Sequence, residues 1–298
     1  MKEPMVSIIV PTFKRELELK KALDSLGHLE YDFYEIIVVD DNADVEWNKQ
    51  VENIVKRFRE ENPILKVLHI VNKQNMGSAK TRNIGIDAAC GEYVCFLDDD
   101  DIYLPQRIRN QVTAMQGVDA DYSITDLALY SEKGNLIEIR KRDYIRETSY
   151  SSLLQYHLMY HMTGTDTLMF KREYLIKIGG FAHIDVGDEF YLMLRAIEHK
   201  GKFLYVPTCD VKAFVHTGEG GLSSGEGKIN GENQLYKFKK KYFSDLGKEA
   251  VRYIKMRHHI VLAFAYLRMK KFYHFGIESV KALCVSPRGL FELWNKRQ

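Results

Sequence analysis

Glu92-Tyr93-Val94-Cys95-Phe96-Leu97 runs directly into Asp98-Asp99-Asp100-Asp101, and this junction of an apolar run with four carboxylates sets the reading of the chain. Near-continuous apolarity over a short run is what a strand covered on both faces requires. Toward the N-terminus the same pattern recurs at residues 6–10 (VSIIV), 35–40 (EIIVVD) and 66–71 (KVLHIV). Between these runs, residues 16–26, 45–61 and 78–89 repeat apolar side chains at helical spacing. The alternation predicts three βα units of the doubly wound type, with all four runs as parallel central strands. In such sheets ligands collect at the carboxyl ends of the strands, so the residues closing each run are the ones to inspect.

Past Asp101 the periodicity loosens. Residues 105–116 read as a helix, 122–130 and 136–140 as a hairpin around Lys133-Gly134-Asn135, 151–160 as a helix and 167–171 as a short strand. Residues 188–199 form an amphipathic helical pattern, followed by short strands at 203–206 and 211–215. Six glycines between 218 and 231 predict a mobile loop. From residue 232 the chain reads as two or three basic amphipathic helices, the last interrupted by Pro287.

Composition narrows the classes. A 45% hydrophobic and 28% charged chain of 298 residues is ordinary for a globular protein, and no apolar stretch approaches the roughly 18 residues of a membrane span. The first residues carry no basic leader or small-residue cleavage site, so the expectation is a cytoplasmic protein. Cys90, Cys95, Cys209 and Cys284 lack metal or redox spacing and sit in apolar contexts, which predicts buried, reduced thiols. The net charge of +2 conceals an asymmetry: residues 232–298 hold 15 Lys/Arg against 5 Asp/Glu. A basic tail suits nucleic acid, an anionic membrane or an acidic polymer, and composition alone does not choose among them.

Four adjacent carboxylates repel one another unless a cation or a donor-rich ligand neutralises them. Hard divalent ions such as Mg²⁺ or Mn²⁺ take oxygen ligands and bridge to substrate phosphates, which suits Asp98 to Asp101 at a strand end. Otherwise the quartet is a solvated turn capping the next helix. Asp40, in Val38-Val39-Asp40-Asp41-Asn42, closes a neighbouring strand, where its carboxylate can accept from a nucleobase N–H or a ribose hydroxyl. The structural alternative is a helix N-cap. The turn after the first strand, Pro11-Thr12-Phe13-Lys14-Arg15, contains no glycine, so neither GxGxxG nor a GxxxxGK[ST] phosphate loop is present.

PTFKR, VVDDN, the segment NMGSAKTRNIG at 75–85 and GEYVCFLDDDD at 91–101, in this order, resemble the family 2 glycosyltransferases of the GT-A fold, and the resemblance covers roughly residues 5–220. It implies an α/β architecture with a doubly wound, mostly parallel central sheet, a small mixed acceptor-side region and a helical C-terminal tail. The corresponding domains are a catalytic region at 1–231, split into a nucleotide-binding half (1–101) and an acceptor half (102–231), and a basic helical region at 232–298. By resemblance, Pro11, Thr12, Asp40, Arg82, Asn83, Asp98 and Asp99 bind the donor nucleotide. Asp100 and His216 are placed on a Mn²⁺ or Mg²⁺ ion. Gly179-Gly180-Phe181 followed by Asp188-Glu189 resembles the segment that supplies the catalytic base. Here the acidic order is reversed from the common Glu-Asp, and alignment on residues 192–195 favours Glu189 over Asp188.

The implied reaction is an inverting transfer from a nucleoside-diphosphate sugar, a UDP-sugar in this reading, to a hydroxyl of a glycan or lipid-linked acceptor. The implied setting is bacterial surface-polysaccharide synthesis at the inner face of the membrane. The tail is read as a peripheral contact with anionic lipid or as a brace on the catalytic region, not as a nucleic-acid site. Two rivals are a sugar nucleotidyltransferase and a non-catalytic sugar-nucleotide or polymer-binding module. The missing glycine turn opposes the first, and retention of both acidic clusters opposes the second.

Overall fold

The apolar runs of the first hundred residues become β1 (Val6–Thr12), β2 (Tyr34–Asp40), β3 (Lys66–Val71) and β4 (Tyr93–Phe96), alternating with α1 (Glu16–Leu26), α2 (Val45–Glu61) and α3 (Ser78–Ala88). The computed structural model describes residues 3–184, 187–215 and 225–295. The chain divides into two compact units, Met1–Thr148 with Met162–Val215, and Ser149–His161 with His216–Gln298.

In the first unit β1 is paired in parallel with β2 and β4, placing Ile8 beside both Ile36 and Cys95. Strands β1, β2 and β4 are almost wholly buried, as their composition requires. Strand β3, expected as a central strand, is instead the sheet edge, and Lys66, Leu68 and Val71 are exposed there. An edge strand needs only one covered side, and charged ends such as Lys66 protect it from further pairing. Helix α3 lies so close to β1 that a Cβ on Gly85 would sit 2.4 Å from Ile9 Cγ2.

The less regular half contributes β5 (Ile102–Tyr103), α4 (Arg107–Val118), β6 (Tyr122–Thr125), β7 (Leu127–Ser131) and β8 (Leu136–Arg140), then α5 (Tyr150–Tyr160), which groups with the second unit. A 3₁₀ turn at Thr165–Thr167 leads into β9 (Leu168–Lys171), α6 (Arg172–Lys177), α7 (Asp188–Glu198), β10 (Phe203–Val206) and β11 (Val211–Val215). The main sheet has the order β10-β6-β9-β4-β1-β2-β3, and a smaller sheet the order β5-β11-β7-β8. Strand β9 is antiparallel to both β4 and β6, so the sheet is parallel except at that strand. The expected strand at 122–130 is two strands in two sheets, broken at Asp126. Asp126 fixes the break by accepting hydrogen bonds from Arg142 N and the Tyr205 hydroxyl at 2.9 and 2.8 Å.

The second unit is helical: α5, α8 (Gly225–Lys239), α9 (Lys248–Arg268), α10 (Phe272–Val285) and α11 (Pro287–Asn295). The glycine-rich segment expected as a loop to residue 231 is helical from Gly225, and its earlier part, 218–224, lies outside the described residues. Pro287 opens α11 at a position where its missing N–H has no helical partner to lose. Polar pairs stitch the interior: His258 lies 3.3 Å from Glu232 and stacks on Tyr236, and Lys239 and Arg257 both reach His161. Among the described residues no helix is long and apolar enough to cross a membrane. All four cysteines are free, but only Cys95 is fully buried; Cys90 and Cys284 are exposed, against the expectation of buried thiols.

Candidate active site

The acidic turn leaves the carboxyl end of β4 and sorts its four carboxylates into different environments. Asp99 accepts from Thr12 Oγ1 at 2.8 Å, Phe13 N at 3.1 Å and Arg15 Nη1 at 2.9 Å. Burial nevertheless pushes its carboxyl up to about 6, against the pull of Arg15. Asp100 pairs with the same guanidinium nitrogen at 2.5 Å. Asp98 is bridged by Arg82 at 2.5 Å, and its backbone N–H donates to Asp166 Oδ1 at 2.6 Å.

Asp166, from the 3₁₀ turn before β9, is the residue that the sequence reading missed. One carboxylate oxygen each from Asp98, Asp101 and Asp166 fall within 4.8 Å of one another. Burial and the charge of Asp98 push the Asp166 carboxyl up to about 7, and burial with the neighbouring Asp166 raises Asp101 well above the usual range. Asp166 is held in place by its carbonyl, which accepts from Arg107 Nη2 at 2.9 Å and the Tyr103 hydroxyl at 3.1 Å. Three convergent carboxylates, Asp101 and Asp166 buried and Asp98 partly exposed, form an all-oxygen donor set that suits a hard divalent cation. Asp100, expected as a metal ligand, is paired with Arg15, and His216 lies outside the described residues.

Arg82, near the start of α3, is buried between two acids. Besides Asp98 it pairs with Asp188 Oδ2 at 2.9 Å, and its guanidinium lies 5.4 Å from the Phe181 ring centroid. Burial disfavours its charge, yet Asp98 and Asp188 outweigh that and hold its pKa above the ordinary arginine value. Asp188 is thereby engaged: Oδ2 accepts from Arg82 and, at 3.2 Å, Ser78 Oγ, while Oδ1 accepts from Glu189 N at 2.9 Å.

Glu189 beside it differs. Gly164 N, Thr165 N and Thr165 Oγ1 all donate to its Oε2 at 3.1 to 3.2 Å, and no described group bonds to Oε1. Burial, then the charge of Asp188, raise its pKa. Asn83, expected in the nucleotide pocket, uses both amide atoms on the backbone of Phe181, each at 2.9 Å. Gly180 makes that clamp possible, since it holds φ +55° and a Cβ there would lie 2.6 Å from Asn83 Oδ1.

At the end of β2, Asp41 is structural: Met76 N, Gly77 N and Asn72 Nδ2 donate to its carboxylate and fix the loop before α3. Asp40 is fully buried, with Oδ1 accepting from Asn42 N and Nδ2 and with Oδ2 lacking a partner. His69 Nε2 lies 3.7 Å from that oxygen, too far for a hydrogen bond. Pro11 and Thr12 end the adjacent strand β1, where Thr12 pairs across to Asp40.

A largely parallel sheet whose strand ends carry a buried acceptor, an acidic turn and a helix-borne carboxylate pair defines a GT-A glycosyltransferase. The chain belongs to glycosyl transferase family 2, whose model matches residues 7–179. It is 30% identical over 203 residues to the GalNAc(5)-diNAcBac-PP-undecaprenol beta-1,3-glucosyltransferase of Campylobacter jejuni, covering 68% of this chain and 62% of that one. The fold is similar to that of S. aureus TarS 1-349 in complex with UDP-GlcNAc, with a TM-score of 0.60, 17% identity and coverage of 92% of this chain and 90% of that one. It is also similar to the mannosyltransferase PcManGT from Pyrobaculum calidifontis in complex with GDP-Man and Mn²⁺, with a TM-score of 0.59, 20% identity and coverage of 95% and 75%.

Proposed function

We propose that this protein transfers a sugar from a UDP-sugar to a hydroxyl of a lipid-linked glycan with inversion at the anomeric carbon, Glu189 being the general base. The state of Glu189 is the observation that carries this reading. Three donors on Oε2 fix the carboxylate, Oε1 is left to receive a proton, and burial raises its basicity. Asp188, tied to Arg82, is a weaker candidate because protonating it would break a buried ion pair.

The other residues have supporting roles in this scheme. Asp40 Oδ2, buried and without a partner, is suited to accept an imide N–H of the nucleobase. Thr12 and Asp99 form a fixed wall beside it through their 2.8 Å bond. Asp98, Asp101 and Asp166 would hold a Mg²⁺ or Mn²⁺ ion, and Asp100 would join them by exchanging Arg15. When bound, such an ion stabilises negative charge on the departing diphosphate. The Campylobacter relative, whose name gives it an undecaprenol-linked glycan, supports a lipid-linked acceptor. The basic C-terminal region is read as meeting an anionic membrane surface, which would keep the enzyme near such an acceptor.

The test is a panel of sugar nucleotides with Mn²⁺ or Mg²⁺ and a polyprenyl-diphosphate glycan, scored by nucleoside diphosphate release and by the anomeric configuration of the product. Retention of configuration, or full activity in Glu189→Gln, would overturn the reading.

A further inference from the structure

On α10 the usual distribution of side chains is reversed. Glu278, its one acid, is buried and receives a 2.7 Å contact from His259 of α9, with Ala282 buried beside it. The outward face instead carries Tyr273, Ile277, Val280 and Cys284, at positions i, i+4, i+7 and i+11 that fall on one stripe of a helix. Exposure reaches 77% at Tyr273 and 60% at Val280, with Leu283 at 50% on the flank and Phe291 of α11 at 66%. A surface helix ordinarily turns its apolar stripe inward, so a stripe turned out calls for a cover.

The flanking charge says what kind. Lys270 and Lys271 precede the stripe, Lys281 lies at its edge and Arg288 follows it, all exposed; Lys271 pairs with Glu226 at 2.6 Å and Lys281 with Glu278 at 2.7 Å. From residue 268 to 298 the sequence holds seven Lys/Arg and two acids. A second copy docked stripe to stripe would bring basic ends against basic ends, which opposes association. An anionic bilayer accepts both features, the aromatic and aliphatic side chains at the acyl boundary and the basic rim among the head groups.

We propose that the outer face of α10, continued by Phe291 of α11, is the surface through which this protein docks on anionic lipid. The proposal rests on the reading that the C-terminal region meets a membrane, and it puts the contact on this face rather than on the Lys-rich stretch at residues 236–243. There, Tyr236, Phe238, Tyr242 and Phe243 are half-buried and Lys239 is fully buried.

Co-sedimentation with vesicles of phosphatidylcholine alone or mixed with phosphatidylglycerol, at low and high salt, tests it on the full chain. The wild type is expected to bind the anionic vesicles and to release in high salt. Val280→Glu with Leu283→Glu should lower partitioning at least tenfold at unchanged Tm, whereas Ile64→Glu, at a 96% exposed site elsewhere, should not change it. Tyr273→Trp gives a readout independent of those charges, since its fluorescence should be quenched by brominated lipid. Binding that survives the double substitution, or an unquenched Trp in bound protein, would overturn this face while leaving membrane association in place. A wild type that ignores both vesicles would overturn both readings. A dimer dissociated by Val280→Glu would assign the stripe to a second copy instead.

Discussion

Asp166→Asn tests the charge arrangement of the site, because the substitution keeps the shape of the side chain and removes one buried carboxylate. The amide oxygen can still accept from Asp98 N, now 2.6 Å away, and the amide nitrogen can donate to Asp101. The Asp166 carboxyl stands at about 7 in the folded protein against an ordinary 3.8. A raised folded-state value means that the native state holds the proton more tightly than the unfolded chain. The associated stability is complete below pH 3.8, erodes as pH rises and is lost above about pH 7. At about 1.4 kcal/mol per unit, the wild type forfeits a few kcal/mol by pH 8 and a smaller part of that by pH 5. Asp166→Asn escapes both losses. Without divalent ions, its Tm advantage should therefore be larger at pH 8 than at pH 5, by roughly 2–4 °C for each kcal/mol of difference in a unit of this size. Adding Mn²⁺ or Mg²⁺ should raise the Tm of the wild type and narrow the gap, since the ion stabilises only the ligand set that remains complete. Thermal unfolding at the two pH values, with EDTA or with metal, measures all of this. A variant destabilised equally at both pH values and as responsive to metal as the wild type would refute the reasoning.

Glu189→Gln should retain nucleoside-diphosphate affinity and lose about 10²–10⁴ in kcat, whereas Asp188→Asn should weaken donor binding or stability by releasing Arg82; the opposite pattern would make Asp188 the base. The acidic limb of the wild-type kcat profile should lie above the ordinary glutamate value of 4.5, because burial raises Glu189 and only the ionised form accepts a proton; a limb at or below 4.5 would contradict this. Asp40→Asn should weaken UDP binding about tenfold or more by calorimetry, since an amide N–H can then meet the base N–H, and unchanged affinity would remove Asp40 from the base pocket. Gly180→Ala should cost about 1–3 kcal/mol in thermal unfolding, because it combines φ +55° with a 2.6 Å approach to Asn83 Oδ1, and a neutral result would show that the clamp on Phe181 yields easily.

The parallel core was legible because burial on both faces leaves a mark on composition: β1, β2 and β4 admit few polar residues, and the helices between them keep their period. What failed depends on partners distant in sequence. Nothing in KVLHIV tells an edge strand from a central one, because that depends on whether another strand lies beyond β3. The break at Asp126 is set by Tyr205 and Arg142, so a single alternating run reads as one strand until those donors are placed. The helix from Gly225 forms despite glycines at 225, 227 and 231, with Ile229 packing on Leu262 and Ala265, a tertiary gain that exceeds the propensity cost.

The same division runs through the site. Asp40 and Asp98 to Asp101 were visible because carboxylates at strand ends stand out against apolar runs, whereas the Asp188-Glu189 pair was reached only through the family resemblance. Asp166 sits alone in Gly164-Thr165-Asp166-Thr167, where the polar cluster before a strand was its one signal, and it meets the turn only because β9 inserts antiparallel beside β4. Once it is placed, the charges sort themselves. Arg15 balances Asp99 and Asp100, and Arg82 balances Asp98 and Asp188. Among the described residues no Lys or Arg pairs directly with Asp101 or Asp166, and the free oxygens of Asp40 and Glu189 have no donor either. Groups that already have counter-charges are the frame of the site, and those without them mark where ligand atoms are needed. On the proposed reading a cation would sit by Asp101 and Asp166 with Asp98 beside them, the nucleobase by Asp40 and the acceptor hydroxyl by Glu189, while Arg82 ties the acidic turn at Asp98 to Asp188, the neighbour of Glu189.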